Sequence, residues 1–254
     1  MSADAQRANP PRSPSIAGVV RDAWAGSLPD RYAEPRTSVP FARAVRAQLR
    51  PGQRILDVGS GSLPFLAPED LPEGAHYAGT DISGDELEKA PRGWYHASYV
   101  SDVTRRSDEL VGSYDLVISN QVLEHVKPLD AAMENMRAYL APGGTMVAKF
   151  SGTFSIFGLI NRMVPHKLAV WGLHRFLGYD PEHIFPAHYD HCWDSALRRM
   201  LAPWSEVRID PLYMGAEYLS FVRPLQGLYV GAEEMWARRD VRNLAAYYIV
   251  TAKR

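Results

Sequence analysis

Short apolar runs alternate with amphipathic segments along the chain up to residue 150. Residues 39–49 place apolar side chains at helical spacing, with Thr37 or Ser38 before them and Pro51-Gly52 after them, which predicts a capped amphipathic helix. Five runs have the length and composition of strands, and they are residues 54–58, 76–81, 95–100, 114–119 and 145–150. Helices and strands that alternate at this spacing predict a mostly parallel sheet covered on both faces.

Further helices are predicted at residues 83–90 and 129–140, and Pro142-Gly143-Gly144 is expected to stop the second of these. The pattern is weaker after residue 150. The last predicted elements are a helix at 193–201 and strands at 205–209 and 245–252. The predicted fold class is therefore α/β, with a doubly wound, mostly parallel sheet of seven strands and helical lid insertions late in the chain.

Interruptions of this pattern predict how the chain is organised. The predicted parts are an N-terminal tail and flap at 1–37, a ligand-binding α/β core at 38–150, a lid insertion at 151–191 and the rest of the sheet at 192–254 with an irregular second insertion at 211–240. Trp24, Tyr32 and Arg36 either fold over a ligand as the flap or pack on the surface. The apolar segment 155–177 forms either two short lid helices or a helix that lies on a membrane surface.

Composition and charge narrow the class of protein. The chain has 254 residues, 46% of them hydrophobic and 22% charged, and a formal net charge of -1. Nothing in this balance favours nucleic acid as a partner, and no apolar run is long enough for stable insertion into a membrane. Cys192 is the one cysteine, which excludes an internal disulfide. We expect a cytoplasmic protein that binds a small molecule, with its oligomeric state left open.

A glycine-containing turn follows the first predicted strand, in the segment Asp57-Val-Gly59-Ser-Gly61. Open α/β sheets bind ligands beyond the carboxyl ends of their strands, and glycines there let the backbone approach a ligand closely. A dinucleotide fingerprint needs a further glycine at position 64, which is Pro64, and no phosphate-binding Gly-Lys-Ser/Thr follows. The turn therefore does not favour NAD, FAD or a nucleoside triphosphate.

Acidic and amide side chains end the next strands. Asp81 lies about 20 residues beyond the glycines, the spacing of a carboxylate that binds ribose hydroxyls, and the alternative is a helix N-cap. Asp102 follows the third strand, and it is either a ligand-binding residue or a solvated residue of the loop. Asn120 follows the fourth strand.

Four segments together resemble the ordered motifs of class I S-adenosylmethionine-dependent methyltransferases. These segments are Ile-Leu-Asp-Val-Gly-Ser-Gly, Gly-Thr-Asp-Ile-Ser, Tyr-Asp-Leu-Val-Ile-Ser-Asn-Gln-Val-Leu-Glu-His-Val and Leu-Ala-Pro-Gly-Gly-Thr. The resemblance covers roughly residues 40–150 and the final strand. It departs from the family where Leu63 and Pro64 replace a frequent third glycine, which changes the backbone contacts expected of that loop.

The resemblance implies S-adenosylmethionine as the cofactor and a role for each matching residue. The implied cofactor-binding residues are Asp57, Gly59 and Gly61 at the methionine part, Asp81 at the ribose, Asp102 and Val103 at the adenine, and Asn120 near the methionine end. Ile82 and Gln121 are also expected to bind the cofactor.

Methyl transfer to a hydroxyl is assisted by a base, and histidine suits that role near neutral pH. Three of the eight histidines, His183, His188 and His191, fall in the predicted lid. We predict His188 or His191 as the base and His125 as a secondary candidate, with a structural role as the alternative. A metal site that pairs the three lid histidines with Asp190 or Glu182 is a further alternative, but the spacing lacks the usual metal-ligand pattern and we predict no metal. The predicted activity is O-methylation of a natural product, a sugar or an isoprenoid-like compound. The alternatives are C- or N-methylation of a small molecule, methylation of a macromolecule, and a non-catalytic cofactor-binding scaffold.

Overall fold

The computed structural model describes residues 15–32, 37–156, 158–159, 187–220 and 222–254. Its strands are β1 (Arg54–Val58), β2 (His76–Asp81), β3 (Ala97–Val100), β4 (Tyr114–Asn120), β5 (Leu140–Ser151), β6 (Ser205–Leu212) and β7 (Tyr247–Lys253). Its α-helices are α1 (Ile16–Trp24), α2 (Ser38–Arg46), α3 (Gly84–Glu88), α4 (Leu129–Tyr139), α5 (Asp194–Met200) and α6 (Arg223–Arg238).

All seven strands form one sheet in the order β3-β2-β1-β4-β5-β7-β6. The first five are parallel, whereas β7 runs antiparallel to both β5 and β6. This confirms the α/β class and the mostly parallel seven-stranded sheet. The strand order reverses between β1 and β4, so the carboxyl ends of these two strands flank the crevice where such sheets bind ligands.

The two faces of the sheet carry separate clusters of buried side chains. Phe41 and Val45 of α2 pack with Ile55, Ile118 and Val147 on one face. The opposite face packs against α4 and α5, and its cluster includes Val58, Val117, Met133, Phe150 and Leu197. Burial on both faces explains why the central strands have nearly continuous apolar sequences.

Several predicted boundaries are wrong. Pro142-Gly143-Gly144 does not simply stop a helix: α4 ends at Tyr139, and these three residues lie inside β5, which begins at Leu140 rather than at residue 145. A register shift between Tyr114 and Leu116 accommodates the early start of β5 against β4. Thr37 occupies the N-cap position of α2 but makes no capping hydrogen bond with its side chain.

The irregular structure expected at 211–240 is also wrong, because this segment contains α6, a helix of 16 residues. Helix α1 packs against α6, and a Cβ atom on Gly227 would overlap the Trp24 indole. The Trp24 indole N–H donates to the Pro224 carbonyl over 3.1 Å. Trp24 therefore packs on the surface of α6, while Arg36, the third residue of the predicted flap, lies outside the described residues.

None of the helices in these described ranges is long and apolar enough to cross a membrane. The segment 155–177, for which a membrane-surface helix was one alternative, lies largely outside them, as does most of the lid predicted at 151–191.

Candidate functional site

Strand register places four residues in one row at the carboxyl edge of the sheet, three that the sequence analysis predicted and one that it missed. Val58 of β1 pairs with Thr80 of β2 and Ser119 of β4, so the next residue of each strand, Gly59, Asp81 and Asn120, occupies the following rung. Asn120 pairs in turn with Lys149 of β5. Neighbouring strands lie about 4.8 Å apart. The row Asp81–Gly59–Asn120–Lys149, which we call the edge row, thus crosses the point where the strand order reverses.

The glycines of the edge are required by the backbone. Gly59 has φ 71°, its N–H donates to the Thr80 carbonyl over 2.7 Å, and a Cβ atom there would overlap the Val122 side chain. Gly61 has φ 48°, and a Cβ atom on it would lie 3.4 Å from Asp81 Oδ2. Both positions therefore favour glycine, and at residue 61 the missing Cβ atom avoids a contact with the Asp81 carboxylate.

Asp57 stabilises the turn after β1 through hydrogen bonds to its buried side chain. Its carboxylate is buried, and Oδ2 accepts hydrogen bonds from the Phe65 N–H at 2.9 Å and the Tyr77 hydroxyl at 2.5 Å. Burial raises the pKa of the Asp57 carboxyl to about 7, against the lowering effect of these two hydrogen bonds. The side chain holds the loop after β1 in place, and its contact with the methionine part of a cofactor stays a prediction.

Asp81 keeps one carboxylate oxygen available. Oδ1 accepts the Ser83 N–H at 2.9 Å, and no residue in the described ranges donates a hydrogen bond to Oδ2. The N-cap of α3 is Ser83, whose hydroxyl accepts the Glu86 N–H, so the N-cap alternative for Asp81 is wrong. Ile82 beside it is 71% exposed, which provides an apolar surface next to a free carboxylate oxygen.

Asp102 builds the loop after β3. Its Oδ1 accepts both the N–H and the hydroxyl of Thr104, at 2.9 and 2.7 Å. The carbonyl of Val103 accepts the side-chain amide of Asn135 at 2.9 Å. This loop lies beside Asp81, because the Ser101 N–H donates to the Asp81 carbonyl over 2.8 Å. These hydrogen bonds fix the position of the loop that carries Asp102 and Val103. Their contacts with adenine stay a prediction.

The end of β4 carries a side-chain amide oxygen that has no hydrogen-bond partner among the described residues. Asn120 Oδ1 is buried and accepts no hydrogen bond from the described residues. Gln121 has φ 61°, and its N–H donates to the Lys149 carbonyl over 2.7 Å. This backbone bond ties the ends of β4 and β5 together while the Gln121 side chain stays exposed.

Glu124 is a buried carboxylate whose structural role the sequence patterns do not reveal. Its Oε1 accepts the N–H and the hydroxyl of Ser151, at 3.1 and 3.0 Å, while Oε2 has no partner in the described part of the chain. Its carbonyl accepts the N–H groups of His188 and Tyr189, at 2.8 and 2.9 Å. Burial raises the pKa of the Glu124 carboxyl. Glu124 therefore fastens the segment 187–191 to the ends of β4 and β5.

The three predicted bases have different surroundings. His188 has an exposed side chain and a backbone held by Glu124, and His125 is half-buried in the short turn after β4. His191 Nδ1 lies 2.9 Å from Asp190 Oδ1, and Asp190 Oδ2 accepts the Leu129 N–H at the start of α4. Glu124 thus brings His125 and His188 together, whereas His191 is engaged with Asp190.

His183 and Glu182 lie outside the described residues. Within the described ranges, no three His, Cys, Asp or Glu side chains are grouped closely enough to hold a metal ion.

Lys149 is a second residue that the sequence analysis missed. It is 4% exposed, and its ammonium donates to the Thr37 hydroxyl over 3.1 Å and lies 5.6 Å from the centre of the Phe41 ring. Burial lowers the pKa of Lys149 to about 8, although the charge of Glu124 acts in the opposite direction. The signal in the sequence is a single charge inside the apolar run Met-Val-Ala-Lys-Phe.

A family model described as a methyltransferase domain matches residues 30–196. Because this match covers more than half of the chain, the chain belongs to this methyltransferase family. The described residues have the class I methyltransferase fold, and S-adenosylmethionine is the methyl donor associated with this family.

Two curated relatives and one solved structure illustrate the similarity. The ubiquinone biosynthesis O-methyltransferase of Chelativorans sp. (strain BNC1) is 29% identical over 131 residues, which are 50% of this chain and 48% of that protein. The highly reducing polyketide synthase valA of Aspergillus terreus is 34% identical over 116 residues, 38% of this chain and 5% of the synthase. A SAM dependent methyltransferase from Archaeoglobus fulgidus shares the fold, with a TM-score of 0.54 at 18% identity over 92% of this chain and 97% of that one.

The chain thus spans about half the length of the first relative and a small part of the second.

The residues at the carboxyl edge fit S-adenosylmethionine. Asp81 Oδ2, which accepts no hydrogen bond from the described residues, suits a ribose hydroxyl, and no Cβ atom of residue 61 stands against it. The exposed side chain of Ile82 offers an apolar contact. Asn120 contributes a buried amide oxygen that has no partner of its own in the described residues, as expected for a group that awaits a ligand.

Proposed function

We propose that this methyltransferase transfers a methyl group to a hydroxyl oxygen of a small molecule, such as a natural product, a sugar or an isoprenoid-like compound. The relatives named ubiquinone biosynthesis O-methyltransferase support oxygen as the acceptor atom, although this chain covers only about half of their length. We further propose a cytoplasmic location and no nucleic-acid partner, in keeping with the formal net charge of -1.

The observation that carries the proposal is the attachment of His188 to the end of β4. The Glu124 carbonyl accepts a hydrogen bond from the His188 N–H over 2.8 Å. Glu124 lies four residues after Asn120 of the edge row. A hydroxyl must lose a proton when its oxygen is methylated, and an imidazole is suited to accept that proton near neutral pH. Of the predicted bases, His188 is therefore the first choice, followed by His125.

The chain's other residues bind and orient. Asp81 with Ile82 would hold the ribose, Gly59 and Gly61 would let the backbone approach the methionine part, and Asn120 would lie near its reactive end. S-adenosylmethionine supplies a methyl group activated by its positively charged sulfur. Alignment of the acceptor oxygen with that methyl group can remove a large part of the barrier.

The experiment is methyl transfer from S-adenosylmethionine with an isotopically labelled methyl group to a panel of hydroxyl, amine and carbon acceptors. Mass spectrometry detects labelled products, and NMR assigns the methylated atom. We expect an O-methyl product. An N-methyl or C-methyl product would replace the proposal by one of its alternatives, and labelling of RNA or protein but of no small molecule would point to a macromolecular substrate.

A further inference from the structure

Lys149 is a buried cation without a counter-ion among the described residues. Its ammonium has one hydrogen-bond partner, the Thr37 hydroxyl, and forms no ion pair in the part of the chain that the structure describes. An ammonium can donate three hydrogen bonds, and burying it without a paired charge is costly. In the part of the chain that the structure describes, the charge acting on Lys149 is that of Glu124, which raises the pKa of the ammonium against the effect of burial. Among the described residues, the Lys149 ammonium is therefore short of negative charge and of hydrogen-bond acceptors.

The position of Lys149 indicates which ligand would supply them. In the edge row, Asp81 stands on β2, Gly59 follows β1, Asn120 ends β4, and Lys149 lies on the next strand beyond Asn120. If the ribose lies at Asp81 and the methionine end at Asn120, Lys149 is one strand spacing, about 4.8 Å, further along. An acceptor that approaches the methyl group from the β5 side would therefore meet Lys149.

We propose that the Lys149 ammonium binds the reacting oxygen of the acceptor as an oxyanion, and hence that the acceptor carries an acidic hydroxyl, a phenol or an enol. This inference rests on the proposed O-methylation. An oxyanion would provide the missing negative charge through a charge-assisted hydrogen bond. With a pKa of about 8, Lys149 is still mostly protonated at neutral pH, as this role requires.

The proton and electron pairs balance with the residues at the site. The acceptor's O–H gives its proton to the His188 imidazole, and the electron pair that remains on oxygen is stabilised by Lys149. That oxygen forms a bond to the methyl carbon while the sulfur–methyl bond breaks and its electron pair returns to sulfur. His188, whose side chain is exposed, then releases the proton to water.

The test uses 4-nitrophenol as a probe, because its phenolate absorbs visible light and its neutral form does not. The full-length protein is saturated with S-adenosylhomocysteine, and the probe is titrated at a pH below its own pKa. We expect the wild type to bind the probe as phenolate, and Lys149→Met to lose most of that phenolate absorbance. Lys149→Arg keeps a positive charge and should retain part of it.

Lys253→Met is the matched control, because Lys253 ends β7 and pairs with Glu206 at 3.1 Å, away from the edge row. It should behave as the wild type does. Calorimetry with S-adenosylhomocysteine and thermal melting show that each variant is folded and keeps cofactor affinity.

The inference is overturned if the wild type shows no phenolate signal, or if Lys149→Met keeps it. The labelled-methyl assay separates this outcome from failure of the proposed function. O-methyl product formed equally well by the wild type and Lys149→Met would leave the proposed function intact and remove the role of Lys149. Wild-type methylation of amines or carbon alone would remove both.

Discussion

The two halves of the carboxyl edge are built by different kinds of contact. In the half formed by β1, β2 and β3, the side-chain bonds of Asp81 and Asp102 are local: Asp81 binds Ser83 two residues later, and Asp102 binds Thr104. In the half formed by β4 and β5, they join distant segments: Glu124 binds Ser151, and Lys149 binds Thr37 across 112 positions of sequence. Local motifs therefore define the cofactor half, and the acceptor half depends on how the whole chain folds.

The largest expected effect falls on turnover in the acceptor half. His188→Ala should lower kcat roughly 10²–10⁴-fold, the range for loss of a general base, because no proton acceptor would remain beside the acceptor oxygen. Single-turnover kinetics with the acceptor found in the labelled-methyl panel measures this. His191→Ala is the matched control, since its imidazole is engaged with Asp190. Equal losses for the two variants would contradict the assignment of His188.

A smaller loss is expected in the cofactor half. Asp81→Ala should weaken the binding of S-adenosylhomocysteine by about 1.5–3 kcal/mol, the scale of a hydrogen bond to a charged group. Calorimetry gives the affinity directly. The control is Asp85→Ala, because Asp85 is an exposed carboxylate on α3. This variant should bind S-adenosylhomocysteine as the wild type does. An unchanged affinity for Asp81→Ala, or an equal loss for Asp85→Ala, would remove Asp81 from the cofactor site.

The pH dependence of stability tests the support beneath the turn. Burial raises the pKa of Asp57 from 3.8 to about 7. A raised acid pKa means that the folded state favours the protonated form, so its stabilising contribution is complete below pH 3.8 and is lost as pH rises through about 7. Urea unfolding of the wild type and Asp57→Asn should show the stability difference changing over this window in favour of Asp57→Asn. A difference that is constant with pH would contradict the buried, protonated Asp57.

The smallest effect concerns the cap of α3. Ser83→Ala should destabilise the protein by about 1 kcal/mol, the usual cost of an N-cap, because the Glu86 N–H loses its acceptor. Affinity for S-adenosylhomocysteine should stay nearly constant, since the cofactor is assigned to Asp81. A loss of affinity as large as that of Asp81→Ala would mean that the two residues act as one unit.

The parallel sheet and the cofactor half were predictable because their signals are local. A strand followed by Gly59 and Gly61 requires a tight turn, and an acidic residue at the end of the next strand is recognisable by its spacing. The same applies to the methyltransferase family, which the family match confirms. Roles for individual cofactor-binding residues stay predictions.

Other elements depend on packing between distant segments. Helix α6 contains Gly227 and Gly231, which are poor helix formers in a helix interior, and it is stabilised by α1, which packs against it. The early start of β5 depends on pairing between Leu140 and Tyr114 of β4, which overrides the turn-forming Pro142-Gly143-Gly144. The roles of Glu124 and Lys149 become visible only when Ser151, His188 and Thr37 are brought beside them.

The central claim is that the carboxyl edge has a cofactor half and a separate acceptor half. Calorimetry of S-adenosylhomocysteine binding to the wild type, Asp81→Ala and His188→Ala tests it most directly. The account predicts that Asp81→Ala loses about one to two orders of magnitude in affinity, while His188→Ala binds as tightly as the wild type. Equal loss of affinity in both variants, or loss in His188→Ala alone, would contradict separate cofactor and acceptor halves.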